Sequence, residues 1–244
     1  MIQFHDPDIA RTHRLCPEES AHAVRVLRQQ PGDTIYVTDG AGKRYECIIL
    51  SADAKGCELD IVNVFAIDQH WHNRFTLAVA PTKNMDRMEW MVEKAVEMGV
   101  NEIVPLKCSR SERKNLRTDR LVKIAVSAMK QSLKTVLPVI SDLTSFADFM
   151  RKCKESDPAT IKLMGYCSQE IERRRLVDEF SPEQDVIILI GPEGDFTPEE
   201  VAMAMDAGFV PVTFGNTRLR TETAAIAALQ TLHVLDLINH PESE

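Results

Sequence analysis

Two glycine-bearing loops near the end of the chain carry the residue types that could bind a ligand. Residues 191–196 read Gly-Pro-Glu-Gly-Asp-Phe, and residues 215–220 read Gly-Asn-Thr-Arg-Leu-Arg. The apolar runs before them predict two strands, Val186–Ile190 and Phe209–Phe214. Parallel strands that end side by side form the usual ligand crevice of an open α/β sheet. Ordinary turns also need glycine, but the arginines and threonine of the second loop favour a binding site.

A helix is predicted after each loop. Thr197, Pro198 and Glu200 have the capping-box pattern: the threonine caps, proline takes the first helical position and the glutamate reaches back. Gly208 is expected to end this helix in the left-handed conformation. The helix Glu222–Asn239 is apolar around most of its circumference, which predicts burial inside the fold or against a second subunit.

The composition is that of a soluble globular protein. Of 244 residues, 44% are hydrophobic and 27% are charged, and no apolar run approaches the roughly 18 residues needed to cross a bilayer. The first 15 residues lack the basic start and apolar run expected of a signal peptide, and the phosphate-binding patterns of nucleotide-binding proteins are absent. Six cysteines without a C-x-x-C pair predict free thiols in a reducing cytoplasm. The closest histidines, His70 and His72, are not expected to bind a metal.

The charge distribution is uneven. The net charge of −8 argues against binding to nucleic acid, but residues 107–123 contain seven basic and two acidic residues. This segment therefore carries +5 and the rest of the chain −13. Because a field acts over a Debye length of about 8–10 Å, such a segment can bind phosphate on an acidic protein. A solvated surface is the alternative interpretation.

The chain divides into a β-rich part and an α/β part. A short helix, Pro17–Arg28, precedes three alternating strands, Thr34–Thr38, Tyr45–Leu50 and Cys57–Val64, which predict a small barrel. Residues 66–74 read as a polar linker. Strands and helices then alternate, which predicts a mostly parallel sheet covered on both faces. The further predicted strands are Phe75–Ala80, Glu102–Leu106, Val136–Ile140 and Ile161–Gly165, and the further helices are Met85–Met98, Arg117–Ser132 and Ser145–Lys154.

The loop sequences resemble those of a known family. LIGPEGDFTPEE and the later LRTETAAIAAL are similar to the paired C-terminal motifs of the bacterial 16S rRNA uracil-N3 methyltransferases of the SPOUT superfamily. The chain departs from the family pattern at Asp195, where glycine is usual, and at residues 214–219. Neither departure is expected to remove a glycine that the backbone needs. Supporting matches extend the resemblance to essentially the whole chain, at residues 80–83, 88–100, 103–106, 109–113 and 128–132.

The resemblance implies an architecture. Residues 1–68 would form a PUA-like β-barrel that binds RNA, and residues 73–244 a SPOUT-type α/β methyltransferase domain with a deep trefoil knot. The last helix would lie at a homodimer interface, which accounts for its apolar circumference. The methyl donor would be S-adenosylmethionine, bound in the knot. The partner would be 16S rRNA or the small ribosomal subunit, in the cytoplasm, with no membrane and no metal.

The resemblance also implies roles for individual residues. Glycine would let the main chain approach the adenine closely, since it has no Cβ. The cofactor-binding residues implied are Met164, Gly165, Ile190, Gly191, Glu193, Gly194, Phe214, Gly215, Arg218, Leu219 and Thr223. Of these, Glu193 is expected to brace its own loop.

Methylation of uridine at N3 requires loss of the imino proton and stabilisation of the uracil anion. Arg110 and Arg220, with Arg218, would stabilise the anion, because a guanidinium group offers several donors in a fixed fork. Glu222 would accept a proton, orient an arginine, or only favour the helix dipole. Basic residues would contact RNA, namely Arg14, Arg25, Arg28, Lys83, Arg87, Arg113 and Lys114.

Three functions are compatible with these features. The leading hypothesis is S-adenosylmethionine-dependent methylation of uridine N3 in 16S rRNA. A SPOUT enzyme with another target, such as a ribose 2′-oxygen, is the second, although the PUA-like part and the RTETA sequence disfavour it. A non-catalytic RNA-binding or ribosome-assembly protein is the third, and the intact glycine loops argue against it.

Overall fold

The computed structural model describes residues 2–67, 71–168 and 171–240. The chain forms two compact units: the first comprises Met1–His70 and Val126–Leu137, and the second comprises Trp71–Ala125 and Pro138–Glu244. The division falls inside one helix, so a segment that lies far along the sequence belongs to the first unit. Three residues of the predicted linker, 68–70, and with them His70, lie outside the described residues.

The first unit contains a four-stranded sheet. Its elements are β1 (Gln3–His5), α1 (Ile9–Thr12), α2 (Pro17–Ala21), β2 (Thr34–Thr38), β3 (Lys43–Ser51) and β4 (Glu58–Ala66). The order is β1-β2-β3-β4, with β1 parallel to β2 and the other neighbours antiparallel. The three predicted strands are confirmed, whereas β1 is too short to show alternation. Alternate residues of β3, Tyr45, Cys47 and Ile49, are buried in the core of this unit.

The second unit contains a parallel sheet. Its first elements are β5 (Phe75–Val79), α3 (Met85–Met98), β6 (Glu102–Lys107), the first part of α4 (Thr118–Gln131), β7 (Val139–Ile140), β8 (Thr144–Ser145) and α5 (Phe146–Lys154). Its later elements are β9 (Ile161–Gly165), β10 (Arg174–Arg175), β11 (Val186–Ile190), α6 (Pro198–Asp206), β12 (Val210–Thr213) and α7 (Thr221–Asn239). The main order is β10-β12-β9-β11-β5-β6-β7, with β8 also paired to β6. The predicted α/β class with a parallel sheet is confirmed.

The strand order corrects one prediction. The strands before the two glycine loops, β11 and β12, do not lie side by side, because β9 pairs with both of them. The loop after β9 therefore takes the central place at this edge. The predicted strand 136–140 is also shorter than expected, since Val136 instead bridges Ala41 in the first unit.

The helix ends follow the sequence signals. Thr197 and Glu200 form the predicted capping box, and Gly208 has a φ of +89° just beyond α6. Ser145 caps α5 by accepting from the Asp148 N–H, and Gly99 ends α3 with a φ of +90°. Two helix pairs pack together, α3 with α7 and α5 with α6. These caps determine where each helix begins or ends, and so the length of the loops that join it to the strands.

Helix α7 is buried in part and exposed in part. Its inner residues include Ala225, Leu229 and Leu232, while Leu237 and Ile238 are exposed. Within the described residues, no helix is both long and apolar enough to span a membrane. All six cysteines are free thiols, as predicted, and burial raises the pKa of Cys47 to about 12.

Candidate active site at the ends of three parallel strands

Three adjacent parallel strands end at one edge of the second unit's sheet. Gly165, the last residue of β9, lies in register with Ile190 of β11 on one side and with Val212 of β12 on the other. A Cβ at position 165 would stand 2.8 Å from Cζ of Phe214 and 3.2 Å from Cδ1 of Ile190. The structure thus brings three predicted cofactor residues, Gly165, Ile190 and Phe214, together at a position where any larger residue would force the Phe214 ring to shift.

The first glycine loop is fixed by hydrogen bonds from other segments. The Thr221 hydroxyl donates to the Gly191 carbonyl at 3.0 Å, and the Lys83 N–H donates to Oε1 of Glu193 at 3.2 Å. Arg110 donates through Nη1 to the Gly194 carbonyl at 2.8 Å and to a second carbonyl, that of Phe196, at 3.3 Å. The predicted catalytic arginine therefore lies over this loop and holds two of its carbonyl groups.

Asp195 is the left-handed residue of the first loop. Its φ of +63° falls where glycine is normally preferred, so the expectation that this departure spares the needed glycines was wrong. The aspartate tolerates the conformation because its carboxylate bonds locally. Oδ1 accepts from the Phe196 N–H at 2.9 Å, and Oδ2 accepts from the Cys167 N–H at 3.1 Å. The second bond links the first loop to the segment after β9.

Glu200 is a site residue that the sequence indicated only as a helix cap. Its buried carboxylate accepts from the Thr197 N–H at 3.0 Å and from the Ser109 N–H at 2.7 Å. The second bond anchors the segment that carries Arg110. Because an N3 glutamate usually serves only its own helix, the sequence offered no signal for this additional contact.

The second glycine loop is held by local bonds. The Thr213 hydroxyl donates to the Gly215 carbonyl at 2.8 Å and accepts from the Gly215 N–H at 3.2 Å. Gly215 has a φ of +125°, in the region that favours glycine. Arg218 and Arg220 are exposed, and Leu219 is half-buried. Two cationic side chains thus stand at the solvent side of the crevice.

Glu222 and Arg87 form a pair at the start of α7. Oε1 of Glu222 lies 3.7 Å from Nε of Arg87, and the glutamate is buried. Arg87 was predicted to contact RNA, and the structure places its partly exposed guanidinium beside a predicted catalytic carboxylate. Thr223, predicted to bind the cofactor, is exposed on the same turn of the helix, and Met164 is buried next to Gly165.

A cleft of about 390 Å³ lies in the predicted basic segment. It is lined by Lys83, Glu112, Arg113, Lys114 and Asn115. Nζ of Lys83 pairs with Glu112 at 2.8 Å, and this hydrogen bond, with the charge of Glu112, raises the pKa of Lys83. Arg113 donates to the carbonyls of Thr82 at 3.2 Å and Lys83 at 2.6 Å. Arg113 therefore braces a loop, while Lys114 is exposed.

The predicted RNA-binding residues of the first unit are all at its surface. Arg25 and Arg28 are exposed, and Arg28 has a φ of +57°. Arg14 donates through Nε to the Gly56 carbonyl at 3.1 Å and so holds the turn before β4. Arg25 and Arg28 are thus open to solvent, whereas Arg14 also supports a turn.

Comparison with known proteins assigns the chain to a family. Residues 69–233 match the RNA methyltransferase domain, and residues 15–62 match the RNA methyltransferase PUA domain. The chain belongs to the RNA methyltransferase family. The methyltransferase is 42% identical to a probable rRNA-methyltransferase from Porphyromonas gingivalis, with 98% of this chain and 100% of that one covered and a TM-score of 0.92.

Two further relatives carry a more specific name. The methyltransferase is 27% identical over 235 residues to Ribosomal RNA small subunit methyltransferase E of Bacillus subtilis, with 91% of this chain and 90% of that protein covered. It is 26% identical to the enzyme of the same name from Neisseria gonorrhoeae, solved with bound S-adenosylmethionine, with 96% and 98% covered and a TM-score of 0.85. The methyl donor predicted from the sequence thus agrees with the family.

Proposed function

We propose that this methyltransferase transfers a methyl group from S-adenosylmethionine to N3 of a uridine in 16S rRNA. The observation that carries the proposal is the crevice where β9, β11 and β12 end, with arginines at its rim. The relatives named Ribosomal RNA small subunit methyltransferase E support the rRNA target. The uridine N3 position rests on the sequence resemblance.

The crevice has features that suit the cofactor. The side chains of Ile190 and Phe214 lie next to Gly165. An adenine ring bound here would therefore contact two apolar side chains and a backbone segment without a Cβ. When bound, S-adenosylmethionine supplies an electrophilic methyl group on sulfur. We assign the cofactor contacts to the residues at the three strand ends: Met164, Gly165, Ile190, Gly191, Glu193, Gly194, Phe214, Gly215, Arg218, Leu219 and Thr223.

The side chains around the crevice can serve the uracil base. Loss of the N3 proton leaves negative charge on the ring, which the exposed Arg218 and Arg220 can stabilise through guanidinium donors. Arg110 already donates to two loop carbonyls, so we assign it to both the loop and the anion. Glu222 is buried beside Arg87, and we assign it to accept the proton or to orient that arginine.

We propose that the first unit and the basic cleft position the RNA. Residues 1–68 would form the PUA-like barrel and residues 73–244 the knotted SPOUT domain. Exposed Arg25, Arg28 and Lys114 are free to meet phosphates, which give position more than sequence. Arg14, Lys83, Arg87 and Arg113 would act at the same surfaces or by holding their loops. The target uridine would leave its stack to reach the crevice.

We further propose a homodimer built on α7, in the cytoplasm. Val234, Leu237 and Ile238 are exposed apolar residues near the end of this helix, and Ile238 is 68% exposed. Ile226, which the sequence suggested as the interface probe, is half-buried, so a charge there would also disturb the fold. Ile238→Glu should give monomers in light scattering, whereas an unchanged dimer would refute this interface.

Two measurements test the catalytic proposal. Calorimetric titration with S-adenosylmethionine should show one site per chain, and no binding at millimolar ligand would favour a non-catalytic RNA-binding protein. Mass mapping of 16S rRNA from a deletion strain should show one uridine without its N3 methyl group, restored by the gene. Loss of a ribose 2′-O-methyl group instead would indicate another target.

A further inference from the structure

Three potential metal ligands meet at the far end of α7. His72 lies at the start of the second unit, Asp236 on the last turn of the helix, and His240 at its C-cap. One donor atom of each lies within 4.8 Å of the others. Asp236 and His240 are four residues apart, a spacing that places both side chains on one face of a helix. Residues from near the beginning and the end of this unit thus lie close together, and their side chains are of types that commonly bind metals.

Asp236 is buried without hydrogen bonds. It is 1% exposed, and neither carboxylate oxygen accepts a hydrogen bond from any described residue. Nδ1 of His72 lies 3.5 Å from Oδ2, which is an ion pair only when the imidazole is protonated, and the His72 side chain is 53% exposed. A buried carboxylate strongly destabilises a fold unless it is paired, hydrogen-bonded or bound to a metal. We therefore expect a bound cation to compensate for the buried negative charge of Asp236, in addition to the contact with His72.

His240 makes a second contact that metal-ligating histidines commonly make. Nε2 of His240 lies 3.1 Å from the carbonyl oxygen of Pro182. Because a carbonyl only accepts, Nε2 carries the proton, and in the neutral ring Nδ1 keeps its lone pair. Ligand histidines commonly donate their second ring N–H to a backbone carbonyl in this way. The rings of His72 and His240 stack with their centroids 3.7 Å apart, so the exposed His72 ring must turn for both imidazoles to bind one ion.

We propose that His72, Asp236 and His240 bind one Zn²⁺ ion. Two imidazoles and one carboxylate are a zinc ligand set that leaves a position for water. Fourteen residues of helix separate Asp236 from Glu222, a rise of roughly 20 Å at 1.5 Å per residue, so the site is structural and lies away from the crevice. The ion would tie the first residues of the second unit to the end of α7. This proposal departs from the sequence-based expectation of no metal.

Zinc titration of metal-free protein tests the site. Protein stripped with a chelator should bind one Zn²⁺ per chain by calorimetry. At a zinc concentration 100-fold above Kd, its Tm should rise by about 5–10 °C. No binding and no rise in Tm would overturn the proposal. The measurement does not depend on methyl transfer, so failure of the proposed function would leave it unaffected.

Variants separate this site from the six free cysteines, since thiolates are also zinc ligands. His72→Ala and His240→Ala change partly exposed residues and should fold but lose the zinc-dependent rise in Tm. Asp236→Asn should lose it as well. His13→Asn, an exposed histidine of the first unit, is the matched control and should keep it. An undiminished rise in His72→Ala and His240→Ala would assign the zinc to other residues and refute the site.

Discussion

The two glycine loops of the crevice are held in different ways. The loop 191–196 receives hydrogen bonds from four separate places in the second unit, which are the N–H groups or side chains of Lys83, Arg110, Cys167 and Thr221. The loop 215–220 relies on Thr213, which bonds to Gly215 two residues away. One loop is braced by the fold, and the other is closed on itself and open to solvent.

The difference suggests a division of labour. A braced loop keeps its peptide groups oriented, which lowers the cost of ordering them when a ligand binds. An open loop leaves its backbone and its two arginines, Arg218 and Arg220, available to ligand and RNA. Substitutions in the first loop should therefore affect the fold, and substitutions in the second should affect the reaction.

The largest expected effect is on the reaction, at Arg220. Arg220→Ala should lower kcat for methyl transfer by about 10²–10³-fold, the usual loss for one donor that stabilises developing charge. The Kd for S-adenosylmethionine should stay unchanged, because the side chain is exposed and does not cap α7. Transfer to an rRNA fragment and calorimetry measure the two quantities.

Arg151→Ala is the matched control for this prediction. Arg151 is an exposed arginine of α5 that pairs with Asp148, outside the crevice. Its removal should leave both kcat and Kd unchanged. If Arg220→Ala weakened cofactor binding as much as transfer, the arginine would support the crevice itself, and the second loop would not be the open one.

The second largest effect is expected on cofactor binding, at Gly165 in β9, the strand that lies between β11 and β12. In Gly165→Ala the new methyl group would stand 2.8 Å from the Phe214 ring, so the ring must shift. Overpacking of this kind costs about 1–3 kcal/mol. Because cofactor binding would require the ring to return to its original position, this cost opposes binding, and the Kd should rise by roughly 10- to 100-fold. Calorimetry measures the Kd, and circular dichroism checks that the protein is folded.

Gly56→Ala is the control, because its methyl group would meet the flexible Arg14 side chain in the first unit. Its Kd for S-adenosylmethionine should equal that of the wild type. An unchanged Kd in Gly165→Ala would mean that the cofactor does not bind next to Ile190 and Phe214.

A smaller effect on stability is expected at the brace of the first loop. Asp195→Ala removes two accepted hydrogen bonds and leaves a Cβ at a φ of +63°, so the free energy of unfolding should fall by about 1–2 kcal/mol. Asp195→Gly should lose less, since glycine adopts this φ freely, and Asp195→Asn least, since it keeps an acceptor. Urea unfolding gives the order, and an alanine variant as stable as the wild type would show that this carboxylate does not brace the loop.

The smallest effect is expected at the second loop. Thr213→Val removes the hydroxyl that closes the loop, but Gly215 is exposed and its peptide groups can bond to water instead. The free energy of unfolding should fall by less than about 1 kcal/mol. A loss larger than that of Asp195→Ala would mean that both loops are braced, and the comparison would fail.

Much of the fold could be predicted from the chain because its signals are local. Gly99, Gly208 and the Thr197 capping box mark helix ends, and each has the predicted conformation. The strands 161–165 and 186–190 were found in full because they are short, apolar and bounded by turn residues. The short strands β1, β8 and β10 were missed, since a period of two cannot be read in so few residues.

The candidate site could be predicted in its residue types but not in its arrangement. Glycines at strand ends pointed to the crevice, whereas the insertion of β9 between β11 and β12 depends on pairing between distant segments. The contact of Glu200 with Ser109 and that of Asp195 with Cys167 join residues up to 91 positions apart. Such contacts leave no periodic trace in the sequence.

The sequence by itself determined the secondary structure, the α/β class and the family, because hydrophobic periodicity, turn residues and motif spacing are properties of neighbouring residues. Only the tertiary structure decided which loop is braced, which strand lies at the centre of the crevice, and that His72 meets Asp236 and His240. These facts depend on burial and on chain segments meeting across more than a hundred residues. Hydrogen bonds and buried charges acquire their free energies only once that packing exists.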